Sequence, residues 1–168
     1  MQLKIRAESP ADAPAIEQLT IAAFENAPHT NGAEHFIVNA LRRAGQLSIS
    51  LVAQDDDEIV GHIALSPISI SNGATGWYGL GPISVLPGHQ RRRIGSQLIE
   101  SALSELRRLG ASGCVVLGDP AYYGRFGFIA TPQLVLPGVP PEYFQALLLT
   151  GALPAGDVTY HDAFNATA

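Results

Sequence analysis

The chain has 168 residues, 46% of them apolar, and a formal net charge of -5 at pH 7. This size and apolar content predict one globular domain over residues 1–168, and the negative charge argues against a nucleic-acid-coating protein, which needs excess Lys and Arg. A single cysteine excludes an internal disulfide, and the histidines lack metal-ligand spacing, so no metal is predicted. Without a signal-peptide core or an apolar run long enough to span a membrane, we expect a cytoplasmic protein with no membrane partner.

The first half of the chain predicts a strand, two helices and a hairpin. Leu3 to Arg6 is the strand, and Ser9-Pro10-Ala11-Asp12 has the capping serine and early proline of a helix start. The predicted buried stripes are Ile16, Leu19 and Ala23 in the first helix, and Phe36, Ile37, Ala40, Leu41 and Ala44 in the second. Residues 47–53 and 59–70 then predict strands that an acidic turn at 55–57 joins into a hairpin.

Residues 77–109 predict a strand, a sharp turn and a helix. Trp77 to Leu86 is the strand, which should bulge or part from its neighbour at Gly81-Pro82 because proline donates no hydrogen bond to a sheet. The helix begins near Arg93 and ends at Gly110, with apolar residues at helical spacing between them. Its first N–H groups and its dipole favour a phosphate. The turn therefore predicts an anion site.

Cys114 to Leu117 predicts a buried strand directly after this helix. A strand, a crossover helix and a second strand form a right-handed unit with parallel strands, so we expect a mixed sheet in an α/β fold. The rest of the chain predicts a short helix at 119–126, strands at 144–149 and 158–160, and a proline-rich loop between the helix and the first of these strands.

Three motifs resemble the GNAT superfamily of N-acetyltransferases, which move an acetyl group from acetyl-coenzyme A to an amine. Ile83-Ser84-Val85 followed by Gln90-Arg91-Arg92-Arg93-Ile94-Gly95 looks like the family's pyrophosphate motif. Tyr122-Tyr123-Gly124-Arg125-Phe126-Gly127-Phe128 is similar to its tyrosine-containing helix, and Ile59-Val60-Gly61-His62-Ile63-Ala64 is typical of the strand before the cofactor strand. Within the family, the Tyr-Tyr pair and the C-terminal tail most resemble a bacterial YhbS-like subgroup.

The resemblance implies a GNAT-like mixed, splayed sheet flanked by helices (α+β by some schemes), and acetyl-CoA as the acetyl donor. It implies cofactor binding by Ile83, Ser84, Val85, Gln90, Arg91, Arg92, Arg93, Ile94, Gly95 and Ser96. Tyr123 matches the family's general acid, whose hydroxyl would protonate the coenzyme A thiolate. Arg93 stands where the family has its first motif glycine, so we expect a helical backbone there, with the three guanidinium groups compensating by charge-assisted hydrogen bonds to phosphate.

The implied acceptor is a primary amine of a small molecule or peptide. We expect this amine to attack acetyl-CoA directly in a ternary complex, because no cysteine lies where a nucleophile is needed. Trp77 to Leu80 offer no carboxylate as general base, so Glu34, His35, His62 and a water chain remain open. The missing carboxylate also leaves a non-catalytic acyl-CoA-binding or sensing module as the alternative. A dinucleotide-dependent oxidoreductase is disfavoured because the turn lacks the required glycine spacing.

Several residues favour structural roles. His62 lies mid-strand, where a hydrogen-bonded structural histidine is favoured over a base. Tyr122 is predicted to pack, and Cys114 to be an inert core residue. The loops at 25–32 and 130–143 and the late strands are expected to select the acceptor, with a mildly apolar, aromatic lining from Phe24, Phe36, Trp77 and Tyr143. A homodimer through the C-terminal strands is compatible with the sequence.

Overall fold

A computed structural model describes residues 2–27 and 30–168. The helices of these residues are α1 (Ala13–Phe24), α2 (Glu34–Arg43), α3 (Ile94–Arg108) and α4 (Pro120–Tyr123). The strands are β1 (Leu3–Ala7), β2 (Ile49–Asp55), β3 (Glu58–Pro67), β4 (Ser69–Ile70), β5 (Trp77–Val85), β6 (Gly113–Leu117), β7 (Ile129–Ala130), β8 (Leu134–Val135), β9 (Phe144–Leu148) and β10 (Gly156–Thr159). None of the described helices has the length and apolar character needed to cross a membrane.

The chain forms two compact units. The first comprises the described residues up to Leu65 together with Gly81–Leu103 and Asp162–Ala168, and the second comprises Ser66–Leu80 and Ser104–His161. The main chain passes from one unit to the other within β5 and again within α3.

In the first unit, β1, β2 and β3 pair in that order as antiparallel strands. The hairpin predicted at the acidic turn is present, with Asp55 opposite Glu58. Ile16, Val38 and Val52 form a buried cluster that joins α1, α2 and β2. The start of the first helical segment is fixed by Asp12, whose carboxylate accepts the Ser9 N–H at 2.7 Å and pairs with Arg6 at 2.7 Å. The described C-terminal turn, Asp162–Asn165, packs against α2.

In the second unit, β5 pairs in parallel with β6, β6 pairs antiparallel with β9, and β9 pairs antiparallel with β7. The pairing of β5 with β6 covers only Trp77 to Gly79, whereas the pairing of β6 with β9 continues to Leu117. The sheet therefore parts just before Gly81-Pro82, as the sequence predicts. A second sheet has the order β4–β10–β8. The core of this unit contains Ile68, Ile70, Trp77, Val115, Leu134, Phe144, Ala146 and Val158.

The structure differs from the sequence prediction in several places. The strand predicted over 59–70 is two strands, because the Ile68 N–H turns to donate to the Trp77 carbonyl at 3.1 Å. The proline-rich segment predicted as a loop contains β8, which pairs in parallel with β10. In α2, the buried residues are Val38 and Leu41, whereas Phe36 and Ile37 are only half-buried.

Replacing Gly113 with Ala is expected to destabilise the protein by about 1–3 kcal/mol through overpacking. A Cβ at Gly113 would lie 2.3 Å from Cη2 and 2.4 Å from Cζ3 of Trp77, a buried core residue. Gly124 is the matched control, because its φ of -58° suits alanine and no heavy atom lies within 4 Å of its added Cβ. Urea unfolding compares the two variants, and equal midpoints would contradict the contact.

Candidate active site

The turn between β5 and α3 is anchored in the first unit by main-chain hydrogen bonds. The Leu86 N–H donates to the Val60 carbonyl at 2.9 Å, and the His89 N–H donates to the Leu86 carbonyl at 2.8 Å. The Gln90 side chain donates to the Val85 carbonyl at 3.2 Å. Gly61 allows α3 to pack closely against β3, because a Cβ at this position would lie only 3.0 Å from the Leu98 side chain. The helix that follows the turn therefore starts from a fixed position.

The expectation of a helical backbone at Arg93 is wrong. Arg91 and Arg93 have φ values of 66° and 64°, in the left-handed region, and α3 begins immediately afterwards at Ile94. The backbone of Arg93 is therefore left-handed immediately before the helix, although the residue is not glycine. Arginine thus adopts the glycine-like backbone at a cost of about 1–2 kcal/mol. A left-handed residue beside a right-handed one turns successive N–H groups toward a common point, which is an arrangement that binds anions.

The three arginine side chains of this turn, Arg91, Arg92 and Arg93, are exposed. Within the described part of the chain, none of them takes part in an ion pair. Their guanidinium groups therefore remain available to an anion at the turn.

The remaining residues of the predicted cofactor site divide into buried and accessible ones. Ser84 and Ile94 have side chains that face the interior, with 2% and 1% exposure. Only their main-chain atoms are suited to meet a ligand. Half-buried residues flank them in the strand and in the first turn of α3, namely Ile83, Val85, Gly95 and Ser96, and Gln90 is exposed.

Tyr123 lies in the second unit, at the end of α4. Asp119 caps this short helix by accepting the Ala121 N–H at 2.9 Å. The Tyr123 ring meets Tyr122 edge-on at 5.0 Å and Phe128 at 6.1 Å between ring centroids. Burial, followed by the neighbouring Tyr122, raises the pKa of Tyr123 to about 12. Its hydroxyl is therefore protonated at neutral pH, which is the state that a general acid needs.

Gly118 positions Tyr123 and was missed by the sequence analysis. An added Cβ at Gly118 would lie 2.5 Å from Cε2 of Tyr123, so the ring lies directly on the glycine. Two hydrogen bonds hold this glycine, because the Gly118 N–H donates to the carbonyl of Tyr143, just before β9, at 2.9 Å, and the side chain of Gln145 in β9 donates to the Gly118 carbonyl at 3.1 Å. The available signal was the position of Gly118 between a buried strand and the helix-starting pair Asp119-Pro120.

His62, one of the four candidates for the general base, is enclosed in the first unit with no exposed surface. Its Nε2 lies 2.8 Å from the Ser50 hydroxyl, which also bonds the Glu8 carboxylate. Burial works to raise the pKa of Glu8, but hydrogen bonds from Arg42 and Ser50 outweigh it and lower that pKa. An ionised Glu8 accepts the single Ser50 proton, so His62 must donate through Nε2. The proton of the His62 ring is thus on Nε2, the nitrogen that is hydrogen-bonded to Ser50.

Glu34 and His35, two other candidates for the base, are the first residues of α2. Both line a cavity of about 340 Å³ in the first unit, and Phe24 of α1 lines it as well. Trp77 was expected to line the acceptor site, but it is a core residue of the second unit with 2% exposure. Tyr143 is exposed. Of the loop predicted at 25–32, residues 28 and 29 lie outside the described part of the chain.

Comparison with known proteins gives concordant matches. A model of the Acetyltransferase (GNAT) family matches residues 13–128. YhbS of Escherichia coli K12, named as an uncharacterized N-acetyltransferase, is 35% identical over 96% of this chain and 98% of its own length.

Two crystal structures share the fold. A GNAT family acetyltransferase from Brucella melitensis in complex with acetyl-CoA is 48% identical, with a TM-score of 0.87 over 97% of this chain and 98% of that one. Escherichia coli YhbS in complex with CoA is 33% identical, with a TM-score of 0.89 over 100% of this chain and 94% of that one. The mixed, mostly antiparallel and splayed sheet with its helices is the fold of these enzymes. The motifs, the fold and these matches agree that the chain belongs to the acetyltransferase (GNAT) family of enzymes.

Proposed function

We propose that the protein transfers the acetyl group of acetyl-CoA directly to a primary amine of a small molecule or peptide, within a ternary complex. The observation that carries this proposal is the turn before α3, where Arg93 keeps a glycine-like φ of 64° and the first N–H groups of a fifteen-residue helix follow. Such a helix start binds phosphate groups. The complexes of the Brucella melitensis relative with acetyl-CoA and of YhbS with CoA support the same ligand here.

The residues available for coenzyme A suit its chemistry. The pyrophosphate would be held by N–H groups of Ile94, Gly95 and Ser96 and by the guanidinium groups of residues 91–93, with Gln90 bracing the turn against β5. The pantetheine amides would bond the main chain of Ile83 and Val85, because residues two apart in a strand turn their polar groups the same way. Ser84 would contribute main-chain atoms alone, since its side chain is buried.

The reaction needs a proton donor and a proton acceptor. The amine nitrogen attacks the thioester carbonyl carbon, a C–N bond forms and the C–S bond breaks, and the amine proton passes to a base. We assign the proton that the departing thiolate takes up to the hydroxyl of Tyr123. Glu34, His35 or a water chain would accept the amine proton, and the enclosure of His62 leaves no path for a substrate to reach it.

The test of this function is thiol release from acetyl-CoA with a panel of primary amines, beside calorimetric titration with coenzyme A. Coenzyme A binding together with amine-dependent thiol release is the expected result. Binding without turnover on any amine would favour the non-catalytic acyl-CoA-binding or sensing module, which the family match does not favour. Absence of binding would reject the cofactor site as drawn.

A pair of substitutions at Arg93 separates the role of its backbone from that of its side chain. Arg93→Gly and Arg93→Ala both remove the guanidinium group, so both are expected to weaken coenzyme A binding, and by the same factor. Only glycine is free of strain at a φ of 64°, so Arg93→Gly is expected to be about 1 kcal/mol more stable to unfolding than Arg93→Ala. Calorimetry and urea unfolding measure the two quantities. Unchanged coenzyme A affinity in both variants would remove this guanidinium from the site.

We also propose that residues 1–168 act as a single acetyltransferase domain, because β5 and α3 each carry the main chain through both compact units without a linker. The cytoplasmic location and the homodimer stay predictions from the sequence.

A further inference from the structure

The ladder between β6 and β9 leaves the Gly118 carbonyl to a side chain. Gly118 follows the last pair of these strands, Leu117 with Phe144, and its N–H donates to the Tyr143 carbonyl at 2.9 Å. Two residues paired in this way in an antiparallel ladder exchange two hydrogen bonds. Here the Tyr143 N–H donates to the Pro140 carbonyl at 3.1 Å instead of returning the second bond. The Gly118 carbonyl therefore needs a different donor.

Gln145 supplies this donor. It lies in β9 with 1% exposure, between Phe144 and Ala146, which both belong to the apolar core of the second unit. Because side chains alternate along a strand, Gln145 lies on the other face of β9 from these two residues. Its Nε2 donates to the Gly118 carbonyl at 3.1 Å. A buried side-chain amide is unfavourable unless it is hydrogen-bonded, so this bond fixes the position of both partners.

The bonded carbonyl is directly connected to Tyr123. The Gly118 carbonyl and the Asp119 N–H share one planar peptide unit. The Asp119 carbonyl then accepts the Tyr123 N–H at 3.0 Å, and the Tyr123 ring lies on Gly118, with Cε2 2.5 Å from an added Cβ. Helix α4 has four residues, which is too short a helix to hold its own position. Gln145 thus holds the backbone from which Tyr123 projects and on which its ring rests.

We propose that Gln145 is a positioning residue for acetyl transfer, which holds the Tyr123 hydroxyl where it can protonate the departing thiolate. The inference rests on the proposed function, because it takes Tyr123 as the acid. Gln145 acts through Gly118 and its peptide bond to Asp119. A displacement of about 1 Å at a reacting group can lower the rate by about 10²-fold. Loss of the Gln145 amide should therefore reduce kcat and spare the affinity for coenzyme A.

Gln145→Met tests the proposal, because methionine keeps the length of the side chain and removes the donor. The kcat for thiol release is expected to fall by about 10- to 100-fold, with the Kd for coenzyme A within about threefold of the wild-type value. Gln18→Met makes the same change at an exposed position of α1 and should leave both quantities unchanged. An unchanged kcat in Gln145→Met would overturn the proposal.

A double-mutant cycle with Tyr123→Phe separates positioning from general structural damage. Gln145→Met can act on the proton transfer only while the Tyr123 hydroxyl is present. In the Tyr123→Phe background it should therefore lower kcat by less than about threefold. A structural defect would lower kcat by the same factor in both backgrounds. That result would overturn the positioning role and leave Tyr123 as the acid.

Gln145→Glu covers the case in which Gln145→Met fails to fold. A protonated carboxyl group donates to the Gly118 carbonyl as the amide does, whereas an ionised one places an oxygen against it. Because burial raises the pKa of a carboxyl group, the kcat of this variant relative to wild type should rise by about fivefold or more as the pH falls from 9 to 6. The corresponding ratio in the Tyr123→Phe background should not change with pH. A constant ratio in both backgrounds would overturn the proposal.

Failure of the proposed function has a different signature. Wild-type turnover in Tyr123→Phe alone would remove the acid that Gln145 is proposed to position. Absence of wild-type turnover on every amine, with coenzyme A bound, would reject the reaction itself. A low kcat in Tyr123→Phe together with a wild-type kcat in Gln145→Met would reject only the positioning role.

Discussion

Replacing Tyr123 with Phe is expected to lower kcat by about 10²–10⁴-fold, with less than about a threefold change in the Kd for coenzyme A. The substitution removes the hydroxyl proposed to protonate the thiolate, so the C–S bond must break without an acid. Phenylalanine keeps the ring on Gly118 and its edge contacts with Tyr122 and Phe128, so the fold is preserved. Steady-state thiol release gives kcat, and calorimetry gives the Kd.

Tyr122→Phe is the matched control for this experiment. Tyr122 lies beside Tyr123 and packs against Phe126 and the Arg125 guanidinium, so loss of its hydroxyl is expected to change kcat by less than about threefold. Because the pKa of Tyr123 is raised to about 12, the wild-type kcat should show no alkaline decline from this group below about pH 11. Wild-type turnover in Tyr123→Phe would take this tyrosine out of the mechanism.

Lowering the pH from 7 to 4 is expected to reduce the free energy of unfolding by about 3 kcal/mol through His62 alone. Burial lowers the pKa of His62 from 6.5 to about 4 in the folded protein. Between these two values the unfolded chain binds more protons than the folded one, so stability is complete above pH 6.5 and is lost as the pH falls toward 4. Glu8 and Asp12 also have lowered pKa values, but their contributions are lost only at lower pH, below the unfolded values of 4.5 and 3.8.

Urea unfolding at a series of pH values measures this loss, with His62→Gln as the test variant. The amide donates to Ser50 in place of the imidazole but does not titrate, so the variant should lose less stability than the wild type between pH 6.5 and 4.5, whatever its absolute stability. NMR titration of the His62 ring adds a direct reading of its pKa. Equal slopes for wild type and His62→Gln would show that the ring does not titrate as its burial requires.

The helix after the turn that follows β5 was predictable, because Ile94, Leu98 and Leu106 recur at helical spacing within one short segment, and all three are buried. The backbone of Arg93 was not predictable from local rules. Those rules disfavour the left-handed region for residues other than glycine, whereas Arg93 adopts it in the turn between β5 and α3. The backbone geometry expected at Arg93 was therefore wrong, and the anion site at this turn stays a prediction.

Pairings between distant segments account for most of what the sequence analysis missed. Strands β7 and β8 have two residues each, too few for any periodicity, and they exist because Ile129 lies opposite Ala146 and Leu134 opposite Gly156. The bonded set around His62 likewise draws Glu8, Arg42 and Ser50 from three other segments. No spacing along the chain signals such a set, because only the folded sheet and α2 bring its members together.

The burial of Cys114 has a practical consequence for these measurements. It is the single cysteine of the chain, it has no exposed surface in β6, and burial raises the pKa of its thiol. An aromatic disulfide reagent reacts with thiolates. It will therefore react with the thiol of released coenzyme A, whereas Cys114 of the folded enzyme will add no signal at any enzyme concentration. In the absence of substrate, the same reagent measures the rate of global unfolding. One thiol per chain can react with it, and only as fast as the protein exposes β6.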